Sequence, residues 1–226
     1  MQDKAPTHAA KQRIYEQFAR IAKALAAPAR LELLDLLHQG ERSVDALARA
    51  AGLSVANASQ HLQVLAAAHL VETRRVGQRI LYRVADDSVE ALWHALRRTA
   101  EARLAELEQV ARQYLTGRDE LEAIDRAELV RRLRAGTVTL LDVRPPEEFE
   151  QGHIAGAISV PLDRLPAYVK SAPRRGLIVA YCRGPYCVYA VEAVATLRKR
   201  GIQAMRFEDG VSEWRAAGLP IERSAP

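Results

Sequence analysis

LIVAYCRGPYCVYAVEAVATLRKRG, Leu177 to Gly201, decides the fold of the second half of this 226-residue chain. Leu177 to Ala180 is an apolar run of strand length. Tyr181 to Cys187 is a tight loop carrying Gly184 and Pro185, the two residue types that most sharply interrupt regular structure. Val188 onward is a helical run that Gly201 ends. The loop also holds both cysteines of the whole chain.

Around this segment the pattern repeats. TVTLLDVR (Thr137 to Arg144) reads as a second strand and IQAMRFEDG (Ile202 to Gly210) as a third. Asp125 and Glu128 form a D-x-x-E cap for the helix AELVRRLRAG. Strands alternating with helices predict a parallel α/β sheet, and such sheets bind ligands at the carboxyl ends of their strands. Cys182 is placed at such an end, just before a helix. Backbone N–H groups wrapping onto a helix N-terminus make an anion cradle, and the same field favours a thiolate. Arg183 adds a positive charge beside it. Cys182 is therefore the expected nucleophile, Arg183 its electrostatic neighbour and Cys187 the second thiol of the loop.

These residues resemble a single rhodanese domain over about residues 120–222. LLDVRPPEEFEQGHIAGAISVP carries the first signature through Asp142, Arg144, Glu148, Phe149, Gly152, His153, Ile154, Gly156 and Ala157. GVSEWRAAGLP carries the closing one through Gly210, Trp214, Gly218, Leu219 and Pro220. The resemblance implies sulfane-sulfur chemistry through a persulfide on Cys182, with thiosulfate, polysulfide or a persulfide as donor. Related phosphatases and arsenate reductases use C-x-x-x-x-x-R, and here the arginine position is Val188, so the loop is read as sulfur-sized. Efficient sulfurtransferases often carry Thr, Ser or Arg at the position of Cys187. A cysteine there leaves enzymatic turnover open, with weak sulfurtransferase activity as one reading, and suggests a bridge between Cys182 and Cys187.

The first half has a different grammar. Ile14, Phe18, Ile21 and Leu25 repeat on one helix face. Pro28 opens ARLELLDLLHQG, which Gly40 ends. Ser43 is an N-cap for SVDALARAAG, and Ser54 for SVANASQHLQVLAAAHL after the break at Gly52. Two short helices about a glycine turn predict a helix-turn-helix. Ser54, Asn57, Ser59, Gln60, His61 and Gln63 supply hydrogen-bonding groups suited to base edges in a major groove. LVETRRVGQRILYRV then predicts a hairpin with strands at about Leu70–Arg75 and Arg79–Val84. Its Arg74, Arg75 and Arg79 are expected on the phosphate backbone. Asp87 and Glu90 are a second D-x-x-E cap, for a long helix whose Val89, Leu92, Leu96, Leu104, Leu107, Val110 and Tyr114 form an apolar stripe to residue 115. That is more apolar face than one small domain covers, so a second copy is the expected cover.

LSVANASQHLQVLAAAHLVETRRVGQRILYRV, Leu53 to Val84, resembles the ArsR family of winged-helix repressors, over about residues 10–115. The resemblance implies a homodimer on double-stranded operator DNA, released by an inducer. Metal-sensing relatives carry cysteine pairs on the helix before the recognition helix, or several Asp and His ligands on the last one. SVDALARA has no cysteine and the last helix has the lone His94, so no metal site and no cofactor are expected.

The predicted fold class is thus two domains, a mainly α winged helix-turn-helix followed by an α/β rhodanese-like domain with a parallel sheet. The net charge of +5 suits an anionic partner. Both halves share it: 16 Lys and Arg against 13 Asp and Glu in residues 1–116, and 17 against 15 in the remainder. Only local clusters therefore mark the DNA-binding face. No run approaches the roughly 20 apolar residues of a membrane span. The N-terminal segment lacks the apolar stretch of a signal peptide. A cytoplasmic location, where thiols stay reduced, is expected.

Overall fold

The computed structural model describes residues 8–115, 121–173 and 175–224. Thr116 to Asp119, the expected linker, lies outside them. The chain packs as two units, Met1–Leu92 and Trp93–Pro226.

In the first unit, α1 (His8–Leu25) precedes α2 (Pro28–His38), whose proline occupies the first turn, where a missing N–H costs nothing. A short strand β1 (Arg42–Ser43) leads into α3 (Val44–Ala50) and α4 (Val55–Ala67). Ser43 Oγ accepts from Ala46 N at 3.3 Å and Ser54 Oγ from Asn57 N at 3.2 Å, so both expected caps form. Between the two helices Gly52 takes φ 63°, a left-handed turn that a side chain would strain. The wing is β2 (Val71–Val76) paired antiparallel with β3 (Arg79–Val84), and β1 adds on the far side of β3. Leu33, Leu37, Leu47, Leu62, Leu65 and Leu70 form the common core.

The apolar stripe of α1 divides between core and surface, and two expectations about the helix after the wing are corrected. The stripe of α1 is not wholly internal: Ile21 and Leu25 pack on the core, while Ile14 and Phe18 are 56% and 63% exposed. The long final helix is also interrupted. α5 (Asp87–Arg103) and α6 (Ala105–Tyr114) are separated by Leu104, whose φ −110° and ψ 95° leave the helical region. The residue capping α5 is Asp86, not Asp87: its Oδ1 accepts from Ser88 N at 2.8 Å and Val89 N at 3.4 Å.

The second unit contains a five-stranded sheet in the order β4 (Ala123–Ile124), β9 (Ala204–Phe207), β8 (Leu177–Tyr181), β5 (Val138–Asp142), β7 (Ile158–Ser159). Every pairing within it is parallel. Helices α7 (Arg126–Arg134), α8 (Pro146–Gln151), α9 (Leu165–Ser171), α10 (Val188–Lys199) and α11 (Val211–Ala216) follow in chain order. A small antiparallel pair joins β6 (His153–Ile154) to β10 (Ile221–Glu222). One apolar cluster covers one side of the sheet with Leu141, Ala180, Val194 and Leu197, and another the opposite side with Leu129, Leu140, Val179 and Trp214.

In the central pair of strands, Asp142 is directly opposite Tyr181. Here a polar network is wholly buried. Tyr181 donates its hydroxyl to Asp142 Oδ2 at 2.6 Å and receives Ile154 N at 3.0 Å. Arg144 meets Asp142 through Nε at 3.0 Å and Nη2 at 2.6 Å, and gives a further bond to Gly152 O at 2.7 Å. Burial opposes the guanidinium charge, but the carboxylate outweighs it and raises the Arg144 pKa. Tyr181→Phe should leave the Ile154 N–H without its partner and destabilise the chain by about 1–3 kcal/mol, the cost of an unsatisfied buried polar group. Urea unfolding followed by tryptophan fluorescence measures it.

Candidate nucleic-acid interface and cysteine loop

The helix-turn-helix presents α4 with an exposed polar face. Ser54, Asn57, Gln60 and Gln63 are exposed, while Ser59 and His61 are half-buried. Ala58, Leu62 and Leu65 occupy the opposite face in the core, which fixes that orientation. In the wing, Arg74, Arg75 and Arg79 are all exposed. They differ in what they already bind. Arg74 pairs with Glu41, and Arg83 with Glu72 at 2.7 Å. Arg75 donates to Gly77 O at 3.1 Å, across the hairpin turn. Among the described residues Arg79 takes no partner. Such exposed pairs contribute little to stability and exchange readily for a phosphate.

The cysteine loop follows β8, the middle strand of the sheet. Both thiols are free, Cys182 buried at 1% exposure and Cys187 half-buried. Gly184 adopts φ 146° and lets the loop curl back, and Cys187 sits at the N-cap of α10. Backbone N–H groups of Gly184 and Ala190 point at the Cys182 sulfur. Those of Arg183 and Tyr189 point at the Cys187 sulfur. Cys182 Sγ itself lies 3.5 Å from Cys187 O.

The loop is fastened from below. Arg183 meets Glu148, which is fully buried, through Nη2 at 2.6 Å and Nε at 3.1 Å, and its guanidinium lies over the Tyr189 ring at 5.4 Å. Gly210 is where the chain presses on the loop: a Cβ there would stand 2.4 Å from Arg183 O, so only glycine fits. Glu213 Oε2 accepts from Gly210 N at 2.7 Å, and its Oε1 meets Arg97 Nη1 at 2.5 Å. Tyr186 gives its hydroxyl to Glu101 Oε1 at 2.9 Å. A cavity of about 560 Å³ opens beside Tyr189, walled by Val143, Pro145, Pro146, Pro161, Leu162 and Asp163.

The thiol electrostatics reverse the order expected from the helix N-terminus. Burial pushes the Cys182 thiol well up, with the neighbouring Cys187 adding to the shift. The hydrogen bond from Cys182 lowers the Cys187 thiol, helped by the two backbone N–H groups and the charge of Arg183. In the sulfur-free loop Cys187 is therefore the more acidic of the two thiols and Cys182 the less acidic. The helix field is present, but enclosure outweighs it at the inner thiol.

Two family models match the chain: a helix-turn-helix domain at residues 25–74 and a rhodanese-like domain at residues 125–217. The HTH-type transcriptional regulator Rv0324 of Mycobacterium tuberculosis is 46% identical over 96% of this chain and 95% of its own length. The chain belongs to the ArsR-type helix-turn-helix regulators with a rhodanese-like domain. Shorter matches divide between its halves. Nodulation protein NolR of Rhizobium meliloti is 45% identical over 34% of the chain and 64% of its own length. A sulfurtransferase of Allochromatium vinosum is 33% identical over 37% of the chain and 78% of its own length. Among solved structures, the homodimeric winged helix-turn-helix domain Mb0332 of Mycobacterium bovis is 42% identical, covering 45% of this chain and 94% of that one, at a TM-score of 0.42.

The regulator thus brings Cys182, Arg183 and Cys187 into one loop, and leaves Ser54, Asn57, Gln60 and Gln63 of α4 and the three wing arginines exposed in the first unit. Among the described residues, no three His, Cys, Asp or Glu side chains converge as a metal site would require. His94 is buried, with Nε2 2.8 Å from Ser212 Oγ. No helix among them is long and apolar enough to cross a membrane. Arg97 and Glu101 were not legible as loop neighbours, because nothing in local spacing relates residues more than 80 positions apart.

Two measurements follow from this geometry. Arg79→Ala should weaken binding to all DNA sequences and reduce the slope of log affinity against log salt by about one, as loss of one phosphate contact does. Cys187 should be alkylated at pH values below the ordinary thiol range, because its depressed pKa keeps the thiolate present as pH falls. Cys182→Ala removes the donor behind that shift and should move the pH–rate profile of Cys187 to higher pH.

Proposed function

We propose that this DNA-binding regulator is a repressor that senses sulfane sulfur, received on Cys182 and passed toward Cys187. The observation that carries the reading is the pair of free thiols in one loop, each facing backbone N–H groups. The Cys182 proton first passes to Cys187, against the direction in which both thiols are shifted, so the Cys182 thiolate is the minor form that reacts. The Cys182 thiolate then attacks the outer sulfur of a persulfide donor R–S–SH. The new bond makes Cys182–S–SH, and the donor's S–S bond breaks to release RS⁻. When Cys187 has been loaded in the same way, the terminal sulfur of the Cys182 persulfide attacks the inner sulfur of Cys187–S–SH. HS⁻ leaves and a trisulfide bridge remains.

Asn57, Gln60, Gln63 and Ser54 are the proposed base readers, with Ser59 and His61 at the edge of that face. Arg74, Arg75 and Arg79 are the proposed backbone contacts. A homodimer is supported by apolar surface left open in the single chain: Ile14 and Phe18 on α1, Leu104 before α6, and Val110 and Tyr114 on α6 are each more than half exposed. A second copy burying these residues would gain about 25 cal/mol per Å² of apolar area.

The enzyme reading, a sulfurtransferase with an attached DNA-binding half, is supported by the match to the Allochromatium vinosum protein. Steady-state turnover with thiosulfate and a thiol acceptor separates the two. The deciding experiment is operator binding with and without a sulfane-sulfur donor, in the wild type and in Cys182→Ser. The wild type should change affinity on donor addition and carry sulfur linking both cysteines by mass spectrometry. Cys182→Ser should bind operator but ignore the donor. A full donor response in Cys182→Ser would remove Cys182 from the mechanism.

A further inference from the structure

Helix α5 runs across the boundary between the packing units: Asp87–Leu92 belong to the first and Trp93–Arg103 to the second. Within the second unit, its residues meet the cysteine loop at two points. Glu101 Oε1 accepts the Tyr186 hydroxyl at 2.9 Å. Arg97 Nη1 binds Glu213 Oε1 at 2.5 Å, and both groups stand over Gly184: a Cβ built there would be 3.6 Å from Glu213 Oε1 and 3.8 Å from Arg97 Nη1. Arg97 Nε is also 3.5 Å from Glu101 Oε1, which ties the two points together. Burial and the Glu101 contact push the Tyr186 hydroxyl up to about 12, so it keeps its proton to donate.

The loop has few directions in which to yield. Arg183 is fixed by Glu148, and the Arg183 carbonyl is pressed against Gly210. Cys182 is enclosed, and each added sulfur atom takes up about 2 Å of chain. Sulfur placed between the cysteines must therefore displace the span between them, Arg183 to Tyr186. Of that span, Gly184 and Tyr186 are the residues that face α5.

We propose that Arg97 and Glu101 are positioning residues of the cysteine loop, holding Gly184 to Tyr186 in the sulfur-free form. Sulfur between Cys182 and Cys187 breaks their hold, and α5 reports the break to the DNA-binding half. This rests on the sulfur-sensing reading above and supplies its regulation: α5 is one covalent helix with residues in both units, and the loop's state biases which arrangement of that helix is favoured. A buried Arg–Glu contact with two alternatives, made or broken, is a discrete element of the kind that coupling requires.

The full chain tests it in three forms: wild type, Tyr186→Phe and Arg97→Gln. Tyr186→Phe removes one hydroxyl and keeps the fold measurable if Arg97→Gln is unstable. The first readout needs no sulfur. Alkylation of Cys187 by iodoacetamide should be at least threefold faster in the variants, since the loop is less restrained. The second readout is affinity for a DNA fragment selected with the wild type, with and without sodium polysulfide. The donor-dependent change should fall to less than a third of the wild-type change, with sulfur uptake by mass still present. Unchanged alkylation in Tyr186→Phe overturns the positioning role. Faster alkylation with a full donor response overturns the reporting role. A wild type that takes up sulfur without any change in DNA affinity overturns the sensing reading and the reporting role with it, while alkylation still decides the positioning role.

Discussion

Two carboxylates enclosed at the carboxyl edge of the sheet, Asp142 and Glu148, set the terms for the second unit. A carboxylate out of water needs a cation and hydrogen bonds, or it must take up a proton. Asp142 is answered by Arg144 and Tyr181, which lock the ends of β5 and β8 together. Glu148 is answered by Arg183, the first residue after Cys182. The cysteine loop is thereby anchored to the sheet through a charge pair whose removal on either side would strand the other. Packing of Val143, Leu165, Ala190 and Val194 around Cys182 then encloses the inner thiol.

Enclosure has a chemical result that the loop's position alone would not give. A helix N-terminus and converging peptide N–H groups favour a thiolate, yet the thiol with least access to water keeps its proton. The greater acidity moves five residues along, to the thiol at the start of α10. The two cysteines thus differ in acidity although no histidine stands in the loop. This difference depends on the contrast in burial between them, 1% exposure for Cys182 against partial exposure for Cys187.

Much of this was legible in the sequence. Ser43, Ser54 and Asp125 are caps by chemistry and by structure. The strand–loop–helix around Cys182 and the basic hairpin after α4 followed from apolar runs and glycine placement. Short strands such as β4, β6, β7 and β10 were not legible, since two residues carry no periodicity. The break at Leu104 was hidden because leucine is a good helix former and the stripe continues past it. The cap at Asp86 was obscured by Asp87 beside it. The thiol order and the contacts of Arg97 and Glu101 depend on burial and on distant pairs, which exist only after folding.

The pairing of Arg183 with Glu148 carries one more implication. With its guanidinium paired to Glu148, Arg183 acts on the loop only as a distant charge, and the groups that face the two sulfurs directly are peptide N–H dipoles. Peptide dipoles have no protonation equilibrium. The cradle's field is accordingly constant across the physiological pH range, and any acidity dependence in the proposed sulfur capture belongs to the two thiols and the donor. On the proposed sensing reading, such a loop measures sulfur against a fixed electrostatic background, much as a balance with an unvarying counterweight responds only to what is placed on the other pan.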